Sequence, residues 1–435
     1  MTITRRKFLR QSSLAVAAGI TMPSIISATS KNAPASDRLN VALIGCKNMG
    51  WGDLTDILKQ PNVQCLALCD VDKTVLESRA KDLSKLQDAK FELHKDYRKI
   101  IDNKDINIVI IGTPDHWHCL PFVDACQAGK DVYVEKPLAN SIAECEVMVE
   151  AAQKYNRVVQ VGQQQRSGRL WKEMIAYLDS GVLGRISRVN VWGNFSYAAI
   201  KQHVADSQPP EGVDFDFWLG PAPLRPFNSN RFHGLWRMFW DYGGGLVTDW
   251  GVHLIDMALW GMHTSTVPDK VLASGGNFAY PDGVQETFDT LSVSYQFKNN
   301  IVTWENNIND FGPYGKNYGV SFTGTNGVLV ADREDWTIYP TGSSGIEVKK
   351  VEDDGKSHIN HAENFIDCVR KRDRQTACTV ENAALCATYS HIANISARLG
   401  GQALSYDRAN KTFGNLEADR YLKPAYRAPW TFPKV

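Results

Sequence analysis

Short apolar runs bounded by glycine or polar clusters recur through the first part of the chain and alternate with stretches of helical period. Leu39-Asn40-Val41-Ala42-Leu43-Ile44-Gly45 follows a polar stretch from Ser30 to Arg38 and has the character of a buried strand that ends in a turn. The same pattern predicts strands at Val63 to Cys69, Ile106 to Ile111, Asp131 to Val134 and Val158 to Val161. Between them, helical periodicity marks Met49 to Leu58, Lys73 to Leu86, a turn at Tyr97 to Ile101, Pro121 to Ala128 and Ile142 to Tyr155. Strand and helix alternating through short links predict a parallel sheet covered on both faces. From Arg169 the pattern changes. A helix at Trp171 to Leu178 leads into two-residue alternation at Arg185 to Val191, Thr290 to Phe297, Ile301 to Glu305, Gly319 to Thr323 and Gly327 to Ala331. These predict antiparallel strands around an aromatic, glycine-rich block from Phe215 to Met262, closed by helices at Ile359 to Arg370 and Val380 to Leu399. The expected fold class is α/β: an N-terminal doubly wound parallel sheet (residues 37–163), then an α+β domain with a largely antiparallel sheet and a C-terminal tail (164–435).

Composition narrows the function classes. The chain has 435 residues with 48 basic and 48 acidic side chains, so it lacks the basic face that a nucleic-acid binder carries. Twelve tryptophans and seventeen phenylalanines supply a substantial core. Residues 1–36 read as an address and linker. Thr4-Arg5-Arg6-Lys7-Phe8-Leu9-Arg10 precedes an apolar run from Leu14 to Ile26, too short for the ~20 residues that span a bilayer. The paired arginines before Phe-Leu match the twin-arginine signal, which exports folded protein. The expectations are periplasmic localisation, the twin-arginine translocase as a transient partner, cleavage after Ala28 or Ala35, and no membrane insertion afterwards. The nine cysteines include no CxxC pair, so buried reduced thiols are expected rather than a disulfide framework or a metal site.

Three constellations carry chemistry. The first strand ends in Gly45-Cys46-Lys47-Asn48-Met49-Gly50, an imperfect dinucleotide fingerprint with Lys47 where the middle glycine belongs. Its glycines permit a tight turn and let backbone amides approach a pyrophosphate at a helix N-terminus. Asp70 stands twenty residues beyond Gly50, where a carboxylate bonds a ribose 2′-hydroxyl and repels a 2′-phosphate. The expected cofactor is therefore NAD, with NADP left open by the positive charge of Lys47. The loop Gly112-Thr113-Pro114-Asp115-His116-Trp117-His118 lies at a strand's carboxyl end, where open α/β sheets bind ligands. Thr113, Pro114 and His118 are its expected cofactor contacts, although a lone histidine is more often structural. Glu135-Lys136-Pro137 follows the next strand, and the proline restricts Lys136. The third constellation runs from Gly243 to Asp256, with a helix expected from about Thr248. Asp249 and His253 then share one face, and the carboxylate is expected to raise the pKa of the imidazole and fix its tautomer, as a general base needs. Asp256 lies on the same stripe, with a buried salt bridge as its expected job. Trp236, Arg237 and Trp240 precede the helix and are candidates for a sugar-binding wall.

These motifs in this order resemble the Gfo/Idh/MocA family, the glucose–fructose oxidoreductase and inositol dehydrogenase relatives. The resemblance covers nearly all of the mature chain. It rests on Glu135-Lys136-Pro137, the Asp249-x-x-x-His253 helix and Phe217-Trp218-Leu219-Gly220-Pro221, and the tail Tyr426-Arg427-Ala428-Pro429-Trp430 is similar to the exported branch. It implies an NAD(P)-dependent oxidoreductase acting on a secondary hydroxyl of a sugar, glycoside or cyclitol. It further implies Lys136 and His253 at the reacting hydroxyl, Asp249 in support, Glu135 and Lys136 beside the cofactor, and Arg166 reaching the substrate. Two rivals share the fold. One is a redox glycosidase that retains NAD, oxidises a hydroxyl transiently and lets the glycosidic bond eliminate. The Glu-Lys-Pro triplet counts against it, as the glycosidase group is taken to lack the triplet. The other is a non-catalytic sugar sensor, disfavoured by export and by the intact lysine, aspartate and histidine set. A homo-oligomer through the second sheet and a cofactor retained through export are further expectations.

Overall fold

The computed structural model describes residues 38–342 and 344–435, so the expected signal segment and the cleavage sites expected after Ala28 or Ala35 lie outside the described residues. The first sheet has six strands: β1 (Leu39–Ile44), β2 (Val63–Cys69), β3 (Glu92–His94), β4 (Ile108–Ile111), β5 (Asp131–Val134) and β6 (Val159–Val161). Their order is β3-β2-β1-β4-β5-β6 and every pair is parallel. This is the Rossmann order. The direction of winding reverses between β1 and β4, which opens a crevice at their carboxyl ends. Helices α1 (Asn48–Leu58), α2 (Lys73–Leu86), α3 (Arg98–Asp102), α4 (Cys119–Gln127) and α5 (Ile142–Lys154) cover the faces. β4 and β5 are buried at every residue, which accounts for their unbroken apolar character. Caps set two helix starts: Asp72 accepts from the Thr74 and Val75 amides at α2, and Ser141 exchanges hydrogen bonds with Glu144 at α5.

The second half contains α6 (Arg169–Asp179), β7 (Ile186–Gly193), α7 (Phe215–Leu219), α8 (Val252–Gly261), β8 (Lys270–Gly276), β9 (Thr290–Gln296), β10 (Ile301–Asn306), β11 (Tyr318–Gly324), β12 (Gly327–Ala331), β13 (Asp335–Pro340), β14 (Lys350–Glu352), α9 (Ser357–Lys371) and α10 (Val380–Arg398). The strands form one eight-stranded sheet, β14-β13-β12-β11-β7-β10-β9-β8, antiparallel except where β7 and β10 run parallel. One face is buried and carries Trp304, Trp336 and Tyr295. α10 is buried without a break from Ala383 to Ala397 because β8, α5 and α8 surround it, which explains its run of small and apolar residues.

The second half does not stay on its own sheet. α9, expected to close the second domain, packs on α1, and its Ala362, Phe365, Ile366 and Val369 share a core with Val41 and Leu43 of β1. Cys378, Val380 and Ala383 join the other face of the first sheet, and Tyr426 and Trp430 of the tail pack against the same core. All nine cysteines are buried and free, as expected from their spacing.

Candidate active site

Three glycines hold the crevice together. Gly45 has φ +84°, and a Cβ there would lie 2.7 Å from the Gly112 backbone. A Cβ on Gly50 would lie 2.4 Å from the Gly45 carbonyl oxygen, and one on Gly112 2.4 Å from the Gly50 Cα. The turn after β1, the first turn of α1 and the end of β4 thus touch backbone to backbone. Lys47, in place of the middle glycine, has extended backbone (φ −94°, ψ 157°) that any residue adopts. Among the described residues no side chain caps α1, and no acid occupies its first turn, so its leading amides are open to a phosphate. Asp70 directly follows β2 and accepts from the Cys46 amide (2.8 Å) and the Asp72 amide (3.0 Å). Burial raises its pKa while these two donors pull it down.

These elements border a cleft of about 1030 Å³, part of it open to solvent. Of the expected cofactor contacts, Gly45, Lys47, Asn48, Met49, Asp70, Thr113, Pro114, Glu135 and Lys136 line it, and Gly50 sits beneath as a packing glycine. Trp236 and Arg237 line it as well. His118 does not. Its ring is wholly buried, with Nδ1 2.7 Å from the Pro137 carbonyl oxygen and Nε2 2.9 Å from that of Thr113. Burial pushes its pKa to about 4, so the ring is neutral and has one N–H for two carbonyls. It braces the loop after β4 against the loop after β5, and the expectation of a cofactor contact is corrected.

Lys136 marks the inner end of the cleft. Its Nζ donates to Asp249 Oδ1 (2.6 Å) and to the Asp249 carbonyl oxygen (3.0 Å), and both side chains are about nine-tenths buried. Arg237 Nε donates to the same Oδ1 at 3.1 Å, and the Tyr197 hydroxyl donates to Oδ2 at 2.6 Å. Burial alone would raise the Asp249 carboxyl, but Lys136 and Arg237 hold it well below the usual carboxylate range. The expected Asp249–His253 pairing is therefore corrected, because Asp249 gives its oxygens to Lys136, Arg237 and Tyr197. The cause is local. Val247–Gly251 form one wide π-helical turn before α8, and the regular 100° step that would stack Asp249 on His253 is lost. His253 is buried and its Nδ1 has no hydrogen-bond partner among the described residues. Burial, then the charges of Arg333, Lys136 and His358, push its pKa well below the ordinary value, opposite to the expected direction.

Arg166 does not reach the cleft either. It forms a two-pronged pair with Asp256, 2.7 Å on each prong, and its guanidinium lies 5.1 Å from the Trp260 ring centre. The salt bridge expected of Asp256 is present, and it occupies the arginine expected to contact substrate. Trp240 lies against Phe288 and Arg398 instead of lining the cleft. Three participants were not legible beforehand. Tyr197 follows β7, Arg333 sits in the turn between β12 and β13, and His233, which lines the cleft, meets Asp72 with Nε2 2.6 Å from Oδ2. Nothing local distinguishes them from other tyrosines, turn arginines and surface histidines. Their positions come from strand pairing and loop closure.

Six parallel strands, a glycine-packed turn leading into an uncapped helix, and an acid at the end of β2 define a dinucleotide-binding protein, and the donor set at α1 fits a pyrophosphate. The family can be named directly. Residues 39–163 match the Gfo/Idh/MocA model described as "Oxidoreductase family, NAD-binding Rossmann fold", and residues 171–432 match its "C-terminal alpha/beta domain"; the chain belongs to this family. Among curated relatives, a glycosyl hydrolase family 109 protein of Shewanella putrefaciens is 26% identical over 204 residues, 42% of this chain and 44% of that protein. An alpha-N-acetylgalactosaminidase of Shewanella oneidensis is 25% identical over 158 residues, 35% of this chain and 34% of that protein. The chain thus spans less than half the length of the curated relatives it matches. Among solved structures, levoglucosan dehydrogenase in complex with NADH and levoglucosan is 19% identical with TM-score 0.63, covering 85% of this chain and 99% of that one. Aldose-aldose oxidoreductase from Caulobacter crescentus, complexed with glycerol, gives the same identity, TM-score and coverage. At this identity the likeness speaks for the fold.

Proposed function

We propose that this chain is an NAD-dependent dehydrogenase acting on a secondary hydroxyl of a sugar, glycoside or cyclitol, or reducing the matching ketone. The observation that carries the reading is the buried Lys136–Asp249 pair at the inner end of the nucleotide cleft. Bound NAD supplies a two-electron acceptor for the hydrogen on the reacting carbon. Asp249, kept ionised, holds Lys136 so that its ammonium faces the cleft and favours negative charge growing on the substrate oxygen. His253 is neutral because of burial and its cationic neighbours, so it has a ring nitrogen free to take the hydroxyl proton. Arg237 stacks on Trp236 at 4.2 Å, which gives that end of the cleft a wall both aromatic and charged. A panel of sugars and glycosides, scored at once for NADH absorbance and for released aglycone, tests the reading. NADH formation supports it, and no NADH with any member overturns it.

The glycosidase relatives favour a second reading, in which oxidation is transient and aglycone leaves without net NADH. The same panel separates the two. Retention of the cofactor is part of the proposal under either reading. The His233–Asp72 contact, with backbone bonds from Lys73 to Gly212 and from Asp214 to Val71, straps the second half over the β2 side of the cleft. Nicotinamide released on denaturing the purified protein supports retention, and its absence overturns it. Export by the twin-arginine route is likewise proposed, with buried thiols consistent with folding in a reducing compartment first. A homo-oligomer through the outer face of the second sheet, where Leu272, Ile301 and Tyr339 are exposed, is tested by light scattering at micromolar concentration, and a monomer there overturns it.

A further inference from the structure

Arg333 differs from four other arginines that line or brace the interior. Arg166 has Asp256, Arg237 has Asp249, Arg225 has Asp241 and Glu286, and Arg231 has Asp206. Arg333 has no carboxylate within ion-pair distance among the described residues. The acids of its own turn are turned away from it: Asp332 takes Lys316 (2.6 Å) and the Glu334 and Asp335 amides, and Asp335 takes Lys316 as well. What holds Arg333 is the Trp250 ring, 4.6 Å from its guanidinium carbon, and one long hydrogen bond from Nη2 to Gln165 Oε1 at 3.4 Å.

Unmet polar atoms gather at the same place. Arg333 Nε is buried without a partner among the described residues, and so is Nε2 of Gln165, the residue Arg333 leans on. His253 Nδ1 is the third such atom, on a ring whose centre is 6.2 Å from that of the same Trp250. Buried polar atoms are nearly always satisfied, so three in one cluster are unusual. A guanidinium fork beside an amide N–H₂ is a donor set with no acceptor, which matches a carboxylate or a sulfate. The charge of Arg333 also reaches His253, where it is the largest charge effect on the ring.

We infer that the substrate is an acidic sugar whose carboxylate or sulfate is received by Arg333 together with Gln165, beside His253. None of Arg333, Gln165 and His253 lines the cleft itself; Lys136, which does, also acts on the His253 ring, and the inference rests on the reading of that cleft as a sugar oxidoreductase site.

The test is binding, so it does not depend on turnover. Dissociation constants are measured by calorimetry on the NADH-loaded protein with matched pairs: methyl β-glucuronide against methyl β-glucoside, and galactose 6-sulfate against galactose. The acidic member of at least one pair is expected to bind about tenfold tighter or more, as a charge-assisted, two-pronged contact provides. Preference in the first pair identifies a carboxylate and in the second a sulfate. Arg333→Gln brings the ratio close to one, and Arg333→Lys, which keeps charge but not the fork, leaves an intermediate ratio. A thermal melt of each variant accompanies the titration, and the lysine variant carries the comparison if the glutamine variant does not fold. Ratios near one in the unmodified protein, a preference that survives both substitutions, or no binding by any acidic member overturns the inference. Acidic sugars that bind through Arg333 but never yield NADH or aglycone would leave the anion site at Arg333 standing and remove the dehydrogenase reading, and with it their assignment as substrates. Neutral sugars that are oxidised with no acidic preference would do the reverse.

Discussion

The two ends of the cleft are built from different material. At the end formed by α1 the groups on offer are mostly backbone: the amides opening α1 and the close approach of Gly45, Gly50 and Gly112, joined by one carboxylate just after β2. At the inner end they are side chains from separate parts of the chain, with Lys136 after β5, Tyr197 after β7, Arg237 before the π-helical turn, and Asp249 within it. A backbone site needs the right turn and the right glycines, which lie within a few residues of one another. A side-chain site needs several distant elements to arrive at once, and each can be drawn into a different partnership on the way.

The inner end should dominate chemistry and leave nucleotide affinity alone. His253→Ala is expected to lower the single-turnover rate by ~10²–10⁴-fold, with NAD binding followed by fluorescence nearly unchanged. An unaltered rate would pass the base role to Lys136. Asp249→Asn should also slow the step, yet leave the acidic limb of the pH–rate profile in place, because Asp249 partners Lys136 and not His253. A limb that moves would restore the Asp249–His253 pairing.

The α1 end should show the opposite split. Asp70→Ala is expected to weaken NAD binding by about 1.5–3 kcal/mol, the range for a hydrogen bond to a charged group, and to improve NADP binding as the repulsive charge goes. If NADP already binds the unmodified protein more tightly, Asp70 does not select the cofactor. Gly50→Ala places a Cβ 2.4 Å from the Gly45 oxygen and should cost ~1–3 kcal/mol of stability by overpacking, read as a lowered Tm. An unchanged Tm would mean that the glycine contact is not tight.

The smallest effect concerns what joins the two ends. His391 of α10 contacts the Ala139 carbonyl oxygen with Nε2 at 3.0 Å, just beyond the Lys136 loop, and burial pushes its pKa down to about 4. His116 and His118 are depressed to about 4 and His361 to about 3, each chiefly by burial. In the unfolded chain these rings protonate near pH 6.5, so it binds more protons than the folded chain between about pH 6.5 and 4. Their contribution to stability therefore falls as pH drops through that window. His391→Gln, which keeps an amide donor for Ala139, should flatten the slope by up to about 1.4 kcal/mol per pH unit. Equal slopes in the two proteins would mean that His391 titrates alike folded and unfolded.

Much of the fold could be read beforehand. β2, α2, β5 and β12 match their expected limits residue for residue, because a buried parallel strand or an amphipathic helix writes its period into contiguous sequence. β3 was missed because its three residues lie on an edge and carry no apolar run. The parallel pairing of β7 with β10, and the return of α9 to the first sheet, leave no local mark either. The site divides in the same way. The glycines, Asp70, Glu135, Lys136 and Asp249 were legible because turn chemistry and strand-end position are local properties.

Sequence by itself determined the class of fold, the place of the cleft and many of the residues that line it, since these follow from period, glycine placement and strand ends. Only the tertiary structure decided the partnerships. It gave Asp249 to Lys136 instead of His253, gave Arg166 to Asp256 instead of the cleft, put His118 behind the cleft as a brace, and left Arg333 without an acid. The reason is that the partner of a buried charge, or its lack of one, is set by which groups the packing of distant elements brings within about 3 Å.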